Sequence, residues 1–280
     1  EALASRRVDR ATAQRYYDIA LYFYNKALAA APQEDYYLLF LGKAYLERGE
    51  ITEDAALRDR LFSGAEEAFL HARSHNPHNT DQTANLAPHN RTRAEFVQDA
   101  AAQSDLMARA IREYEAALRL SPHNAILYNE LARALQDNHQ PEEALERFQQ
   151  SLRLDSQYAP TYLLLAELLA NQQRLEEARA TYEQGLQYEP ESVPLHSGLG
   201  YVYSRLGLTS QAISENLQVL ELLPGDYVAA KNLALLFRDT GQPARALDMA
   251  RLARQRAPEG DQAALDQLIA ALETAQEADP

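Results

Sequence analysis

Pro122, Pro190, Pro224 and Pro258 stand on a 34-residue grid, and Ser156 occupies the one grid point without a proline. Proline cannot continue a helix, so regular stops of this kind cut a chain into short helical pieces of fixed length. Self-similarity at a period of roughly 20–50 residues means one supersecondary unit stacked on copies of itself, and at this period the unit is a helical hairpin. The chain is therefore expected to be all-α, without a β-sheet.

The spacing inside each unit says how its two helices touch. From Ala125 the pattern places Tyr128, Leu131 and Ala132 on a first helix, then Ala144 and Phe148 on a second. From Ala159 it gives Tyr162, Leu165 and Ala166, then Ala178 and Tyr182. Val193 opens a unit with Leu199, Gly200, Tyr203 and Ala212, and Tyr227 opens one with Leu233, Ala234, Phe237 and Ala246. A small residue after each leucine and another early in the second helix let the backbones approach, while an aromatic ring fills the space beside them. On these residues the chain resembles the tetratricopeptide repeat (TPR) family, in good register from Ala125 to Pro258 and in degraded form before it. The resemblance implies a right-handed TPR-type solenoid of antiparallel helix hairpins. Its expected organisation is one continuous array: irregular units over 1–124, four regular units over 125–260 and a capping helix over 261–280.

The N-terminal part keeps the pattern but not the period. Residues 1–31 read as one long helix or a degenerate hairpin, with Tyr16, Ala20, Tyr24, Ala27 and Leu28 on an apolar stripe. Pro32 closes it, and Leu38, Leu41, Gly42 and Tyr45 then repeat the first-helix pattern. The intervals from Pro32 to Pro77 and from Pro77 to Pro122 are both 45 residues, 11 more than the period. Eleven residues make about three helical turns, so an insertion of that length inside a helix keeps its buried face in phase. The first extension is expected at residues 50–60, with Thr52 as a helix cap and Ala56, Leu57 and Leu61 continuing the stripe of the second helix. In the second, a short helix over 80–87 is expected to end at Pro88, with Asn90 capping a helix from Arg91 to about Gln103. Pro-His-Asn occurs at 77–79, 88–90 and 122–124 and reads as turn chemistry, with Asn124 a helix cap. Pro141 and Pro243 suit the first turn of second helices, and Ser192, Asp226 and Asp261 are natural caps. At the end, Leu265, Leu268, Ile269 and Leu272 share one face and Asp266, Gln267, Glu273 and Gln276 the other, as a capping helix needs.

The net charge of −14 argues against a nucleic-acid or anionic membrane partner, since both reward a basic face. No apolar run approaches the ~20 residues of a membrane span. Beginning at Glu1 rather than methionine, the chain is expected to be a processed form or a piece of a longer protein. It has no cysteine, which removes thiolate metal sites and cysteine nucleophiles together. His71, His75 and His78 have i, i+4, i+7 spacing, but Pro77 interrupts that face and no carboxylate completes it, so no metal is expected. Glu142 with Glu143 and Glu176 with Glu177 are adjacent on a helix, point about 100° apart and read as a solvated helix start rather than an acid–base pair. No phosphate loop, nucleophile elbow or zincin motif occurs, so neither an enzyme nor a cofactor is expected.

What remains is the concave face that first helices build in TPR proteins, where a protein or peptide ligand is expected. Carried over by register, its residues are Asn129, Arg133 and Gln136; Leu163, Glu167 and Ala170; Ser197, Tyr201 and Ser204; and Lys231, Leu235 and Arg238. Only Lys231 and Asn232 resemble the lysine and asparagine set with which some TPR domains clamp a terminal carboxylate. FLGKAYLE, NPHNTDQTANL and LSPHNAILYNELA also look like the TPR region that follows the membrane part of bacterial O-antigen ligase or polymerase-like proteins. That resemblance implies an accessory extramembrane region, with catalysis elsewhere in the parent. Pro88 departs from the longer helix it implies for residues 80–103.

Overall fold

The computed structural model describes residues 9–278, and every regular element among them is an α-helix. Two compact units follow one another, the first ending at Leu154 and the second starting at Asp155. The first holds α1 (Arg10–Ala30), α2 (Asp35–Glu50), α3 (Ala55–His75), α4 (Thr80–Ala84), α5 (Leu86–Glu95), α6 (Ala100–Leu120), α7 (Ala125–Asp137) and α8 (Pro141–Leu154). The second holds α9 (Ala159–Asn171), α10 (Leu175–Tyr188), α11 (Val193–Arg205), α12 (Thr209–Leu222), α13 (Tyr227–Asp239), α14 (Pro243–Arg256) and α15 (Glu259–Ala278). Residues 1–8 of the expected first helix lie outside the described residues.

The regular hairpins, α7 with α8 through α13 with α14, pair a 13-residue helix with a 14-residue one. Leu131, Ala132, Leu165, Ala166, Leu199, Gly200, Leu233 and Ala234 are all buried, as are Ala144, Ala178, Ala212 and Ala246 opposite them. Each hairpin turns on one left-handed residue: His139, Gln173, Gly207 and Gly241, spaced 34 residues apart, with φ between 59° and 74°. At each turn two backbone bonds close the helix end, for example Gln140 N–H to Leu135 O and His139 N–H to Gln136 O. This is the Schellman arrangement, which favours glycine because an L side chain is strained there. Pro141 and Pro243 open α8 and α14 as expected, Asn124 caps α7 and Asp226 caps α13. Ser192 stands at the N-cap of α11 without a side-chain cap bond.

The 45-residue hairpins distribute their extra residues over both arms instead of inserting them at 50–60. Relative to α7 and α8, the first helix α2 grows to 16 residues and the second helix α3 to 21. Antiparallel arms must lengthen together, because an overhang on one would expose its apolar face. The added length repeats a contact one heptad further on. A Cβ placed on Gly42 would lie 2.5 Å from the Phe69 ring, and one on Gly49 would lie 2.5 Å from the Phe62 ring. Two glycines seven residues apart thus receive two phenylalanines seven residues apart. Ala87 and Ala94, with Tyr114 and Met107, occupy the corresponding buried positions 45 residues later. Helices α1, α3 and α6 are all 21 residues long, capped by Asp9, Asp54 and Asp99, whose carboxylates accept the N–H of the third residue on.

Four local expectations are corrected by this geometry. Thr52 is not the cap of the second helix; Asp54 is, and buried Thr52 donates to Arg48 O while accepting from the Arg48 guanidinium. Of the stripe residues proposed there, Leu61 is buried, Leu57 half-buried and Ala56 exposed. No helix runs from Arg91 to Gln103: α5 spans Pro88 and ends at Glu95, and Asn90 lies buried inside it. Pro88 is the third residue of α5, where an N–H has no partner within α5 itself, but it removes the bond that would reach Ala84, and the first helix breaks into α4 and α5 at that point. Asp261 does not cap α15, which starts at Glu259; its carboxylate accepts from Tyr227 OH at 2.8 Å.

Helix α15 covers the end of the second unit. Leu272 joins Leu233, Ala234, Phe237, Ala246 and Ala250 in one cluster, and Leu265 joins Ala230, Ala253 and Ala257 in another. Asp266 and Glu273 on the outer face pair with Arg254 and Arg251; the Gln276 side chain lies outside the described residues. Deleting residues 261–280 exposes both clusters and is expected to cause aggregation at concentrations where the intact chain stays monodisperse by light scattering. An equally soluble and stable truncated chain would remove the capping role.

Candidate functional site

In the second unit the residues carried over by register come from the first helices α9, α11 and α13. Glu167, Ser197, Ser204 and Arg238 are exposed, Leu163, Lys231 and Leu235 are half-buried, and Ala170 is buried. Tyr201 is 50% exposed. Its hydroxyl accepts from Arg205 Nη1 at 2.6 Å, and the same guanidinium lies 5.7 Å from the ring centroid. Arg205 also donates through Nη2 to Gln173 Oε1 at 2.7 Å, which ties α11 to the left-handed turn between α9 and α10. Arg238 is held by Asp239 at 2.8 Å, an exposed pair of little net strength that a ligand carboxylate can displace.

A ring from the second-helix layer reaches toward this surface. Tyr182 of α10 is buried, and a Cβ on Gly198 of α11 would lie 2.4 Å from its ring and 2.5 Å from its hydroxyl. Burial pushes the Tyr182 phenol up, and the Glu167 carboxylate and Tyr201 push it further, so it stays neutral. Glu167, Tyr182 and Tyr201 are thereby brought together by α9, α10 and α11. Sequence reasoning missed Arg205 and Gly198 here. The signal for Arg205 was its i+4 spacing from Tyr201, and for Gly198 its place beside the aromatic of the preceding helix.

In the first unit, Asn129 is only 1% exposed, and its Nδ2 lies 3.4 Å from Glu130 Oε1. Arg133 and Gln136 are half-buried. Arg91 of α5 bridges Glu130 at 3.6 Å and Asp137 at 3.2 Å, and Arg133 also meets Glu130 at 3.3 Å. These ion pairs fasten α5 to α7. Beside them a cavity of about 360 Å³ is lined by residues of several helices, among them Leu39, Lys43, Pro88, Tyr114, Leu127 and Glu130. Burial, and then Glu130, raises the Tyr114 phenol, so that ring too is neutral.

Glu176 and Glu177 pair with Arg179 and Arg174 on the surface of α10, as a solvated helix start does. The His71 and His75 rings lie 4.7 Å apart on α3, tilted by 55°, while His78 follows beyond the helix end. Among the described residues no three His, Cys, Asp or Glu side chains are placed to hold a metal ion, and no helix is long and apolar enough to cross a membrane.

The fold and these faces define a helical-repeat protein of the TPR solenoid class. Residues 113–146 and 135–199 match two tetratricopeptide repeat family models, which supports the repeat family. Among solved structures the chain is similar to YrrB, described as a TPR protein with an unusual peptide-binding site, at 19% identity and a TM-score of 0.54 over 71% of this chain and 97% of that one. It is similar to PilF of Pseudomonas aeruginosa at 22% identity and a TM-score of 0.59, over 71% and 84% of the two chains. The structure of the APC/C hetero-tetramer Cut9–Hcn1 matches 94% of this chain at 18% identity and a TM-score of 0.61, but this chain spans only 48% of that one. Identities this low show the fold. None of the curated proteins matches the sequence.

Proposed function

We propose that the protein is a binding scaffold that takes an extended or helical segment of a partner protein on the first-helix face of its second unit. The observation that supports this most is the half-exposed Tyr201, braced by Arg205 against the α9–α10 turn. A rigid aromatic with a polar tip gives contact area at low entropic cost, and arginines grip carboxylates in a fork. The acidic chain repels a polyanion at long range, so Arg205 and Arg238 read single carboxylates within an otherwise apolar or neutral segment. The preferred peptide is best found by display selection on the intact chain. Its affinity, measured by calorimetry, is expected to fall by about tenfold or more for Tyr201→Ala and by less for Arg238→Ala, with the helical circular dichroism of both variants intact. Unchanged affinity in both would place the ligand elsewhere; Arg133→Ala then tests the corresponding face of the first unit.

The resemblance of the N-terminal half to the extramembrane TPR region of O-antigen ligase or polymerase-like proteins supports a second reading, an accessory region of a glycan enzyme. Sequencing the gene upstream of Glu1 decides it: several apolar spans of about 20 residues belong to that reading, and a start codon without them removes it.

A further inference from the structure

Helices α6, α7 and α8 of the first unit border a cavity of about 380 Å³. Glu115, Leu118 and Arg119 line it from α6, Tyr128 and Leu131 from α7, and Arg147 from α8. It lies off the register face, since none of Asn129, Arg133 and Gln136 lines it. Its two arginines have no acid to meet. Arg147 is half-buried, and its Nε is shut off from solvent without a hydrogen-bond partner. Arg91 and Arg179, whose Nε atoms are equally enclosed, each face a carboxylate, at 3.2 Å and 3.8 Å. Among the described residues neither Arg119 nor Arg147 meets a carboxylate within 4 Å. A guanidinium keeps its charge and its five N–H donors, so enclosing part of one without an acceptor costs free energy that an anion recovers.

The 34-residue register shows the same positions satisfied from within the chain. Tyr128 and Arg147 correspond to His196 and Glu215 two repeats later. There the His196 ring lies between the Glu215 carboxylate, at 2.6 Å, and Pro190 O, at 2.9 Å. In the repeat between, Tyr162 donates its hydroxyl to Ser156 O at 2.9 Å, and the Tyr188 ring stacks on it at 5.6 Å. At Tyr128 and Arg147 the chain sets two donors together, a hydroxyl and a guanidinium, and bonds neither to an acceptor among the described residues.

Arg119, Arg147 and Glu115 sum to one positive charge, which a monoanion balances. A phosphoryl dianion would leave excess negative charge beside Glu115, in a chain already at −14. Guanidinium forks match carboxylates, and Leu118 and Leu131 offer apolar contact beside them. The volume stands near the lower end of the roughly 300–1,000 Å³ usual for ligand pockets. We infer that this cavity binds a carboxylate carried on a compact apolar body. Arg119 and Arg147 grip the carboxylate, the Tyr128 hydroxyl donates to it, and the body rests on Leu118 and Leu131. The site is separate from the Tyr201 face and does not depend on it.

The probe is N-acetyl-phenylalanine, titrated into the isotope-labelled intact chain at pH 7.5 and low salt and followed by amide shifts in NMR spectra. Saturable shifts are expected in α6, α7 and α8, with affinity at least about tenfold above that of N-acetyl-phenylalaninamide, which lacks the charge. Phenyl phosphate should bind more weakly than the carboxylate, and Glu115→Gln should narrow or reverse that preference. Arg147→Met is expected to weaken the carboxylate at least about tenfold while the urea midpoint of the free chain stays the same or rises, because an unpaired charge gives way to an apolar side chain. Arg119→Met, at an exposed position, should weaken it by a smaller factor, and Arg112→Met, exposed on α6 outside the cavity, should leave it unchanged. A hexapeptide ending in phenylalanine, as free acid and as amide, separates the two sources of such a group. A free-acid peptide that binds more tightly than the probe assigns the carboxylate to a chain end, and one that binds more weakly assigns it to a free organic acid. The proposal is overturned by the absence of saturable shifts, by equal binding of the amide, by tighter binding of phenyl phosphate to the parent, or by carboxylate affinity that survives Arg147→Met.

Discussion

Phe69→Ala is expected to lower the unfolding free energy of the first unit by about 3–5 kcal/mol, the cost of deleting a fully buried ring whose site cannot collapse. Phe69 is 1% exposed and enclosed by α2, which approaches through Gly42, and by the His89 ring, edge-on at 6.2 Å. Helix backbones already in close approach cannot move in to fill the void. Gly42→Ala should cost about 1–3 kcal/mol by the opposite route, since its methyl would overlap the ring. In the Phe69→Ala background that penalty should vanish, because the overlapping atoms are gone. A double-mutant cycle in urea, followed by circular dichroism and by amide exchange in α2 and α3, measures this coupling directly. Phe23→Ala, at a ring 59% exposed on α1, is the control and should change stability by no more than about 0.5 kcal/mol. Independent effects of Gly42→Ala and Phe69→Ala would mean that the two residues do not share a contact.

The second large effect is one of pH. His89 has no measurable exposure, meets no protein hydrogen-bond partner at either ring nitrogen among the described residues, and lies edge-on to Phe62 and Phe69. Burial disfavours the imidazolium, and the nearby Arg93 guanidinium adds to that, so the folded pKa falls to about 4 from the ordinary 6.5. The unfolded chain therefore binds the proton more readily than the native one between those two values. Stability is fully present above pH 6.5 and is lost as pH falls toward 4, by about 3 kcal/mol at the lower end. The measurement is the urea midpoint of the parent and of His89→Leu between pH 7.5 and 4. The parent should lose stability across this window, and the difference between the two proteins should shrink or reverse in favour of the variant as pH falls. Curves that run parallel from pH 7.5 to 4 would show that His89 does not titrate with unfolding.

Much of the fold was legible before any coordinates. The 34-residue period set the hairpin, and the small and aromatic positions named from Ala125 onward are buried or half-buried as their spacing required. Less of the site was legible. Asn129 has the register of an inner-face residue yet is buried against its own neighbour Glu130, while Arg205, absent from the register set, braces the most exposed aromatic of the second unit. Register fixes the direction in which a Cβ leaves the helix, but not whether a neighbouring helix closes over it.

The three Pro-His-Asn triplets show where that line falls. At 77–79 and 122–124 the triplet forms a turn before a first helix, and Asn79 and Asn124 accept backbone N–H groups there. At 88–90 the same three residues lie within α5, with His89 in the core. A tripeptide has too few internal contacts to choose between these states; the buried area offered by Phe62 and Phe69 chooses for it. Periodic apolar and small residues determine which elements form and which face turns inward, since those depend on spacing along one chain segment. The tertiary structure alone decides how eleven added residues divide between two arms, which histidine is desolvated and which aromatic face stays open, because each depends on the surface that the neighbouring helix presents.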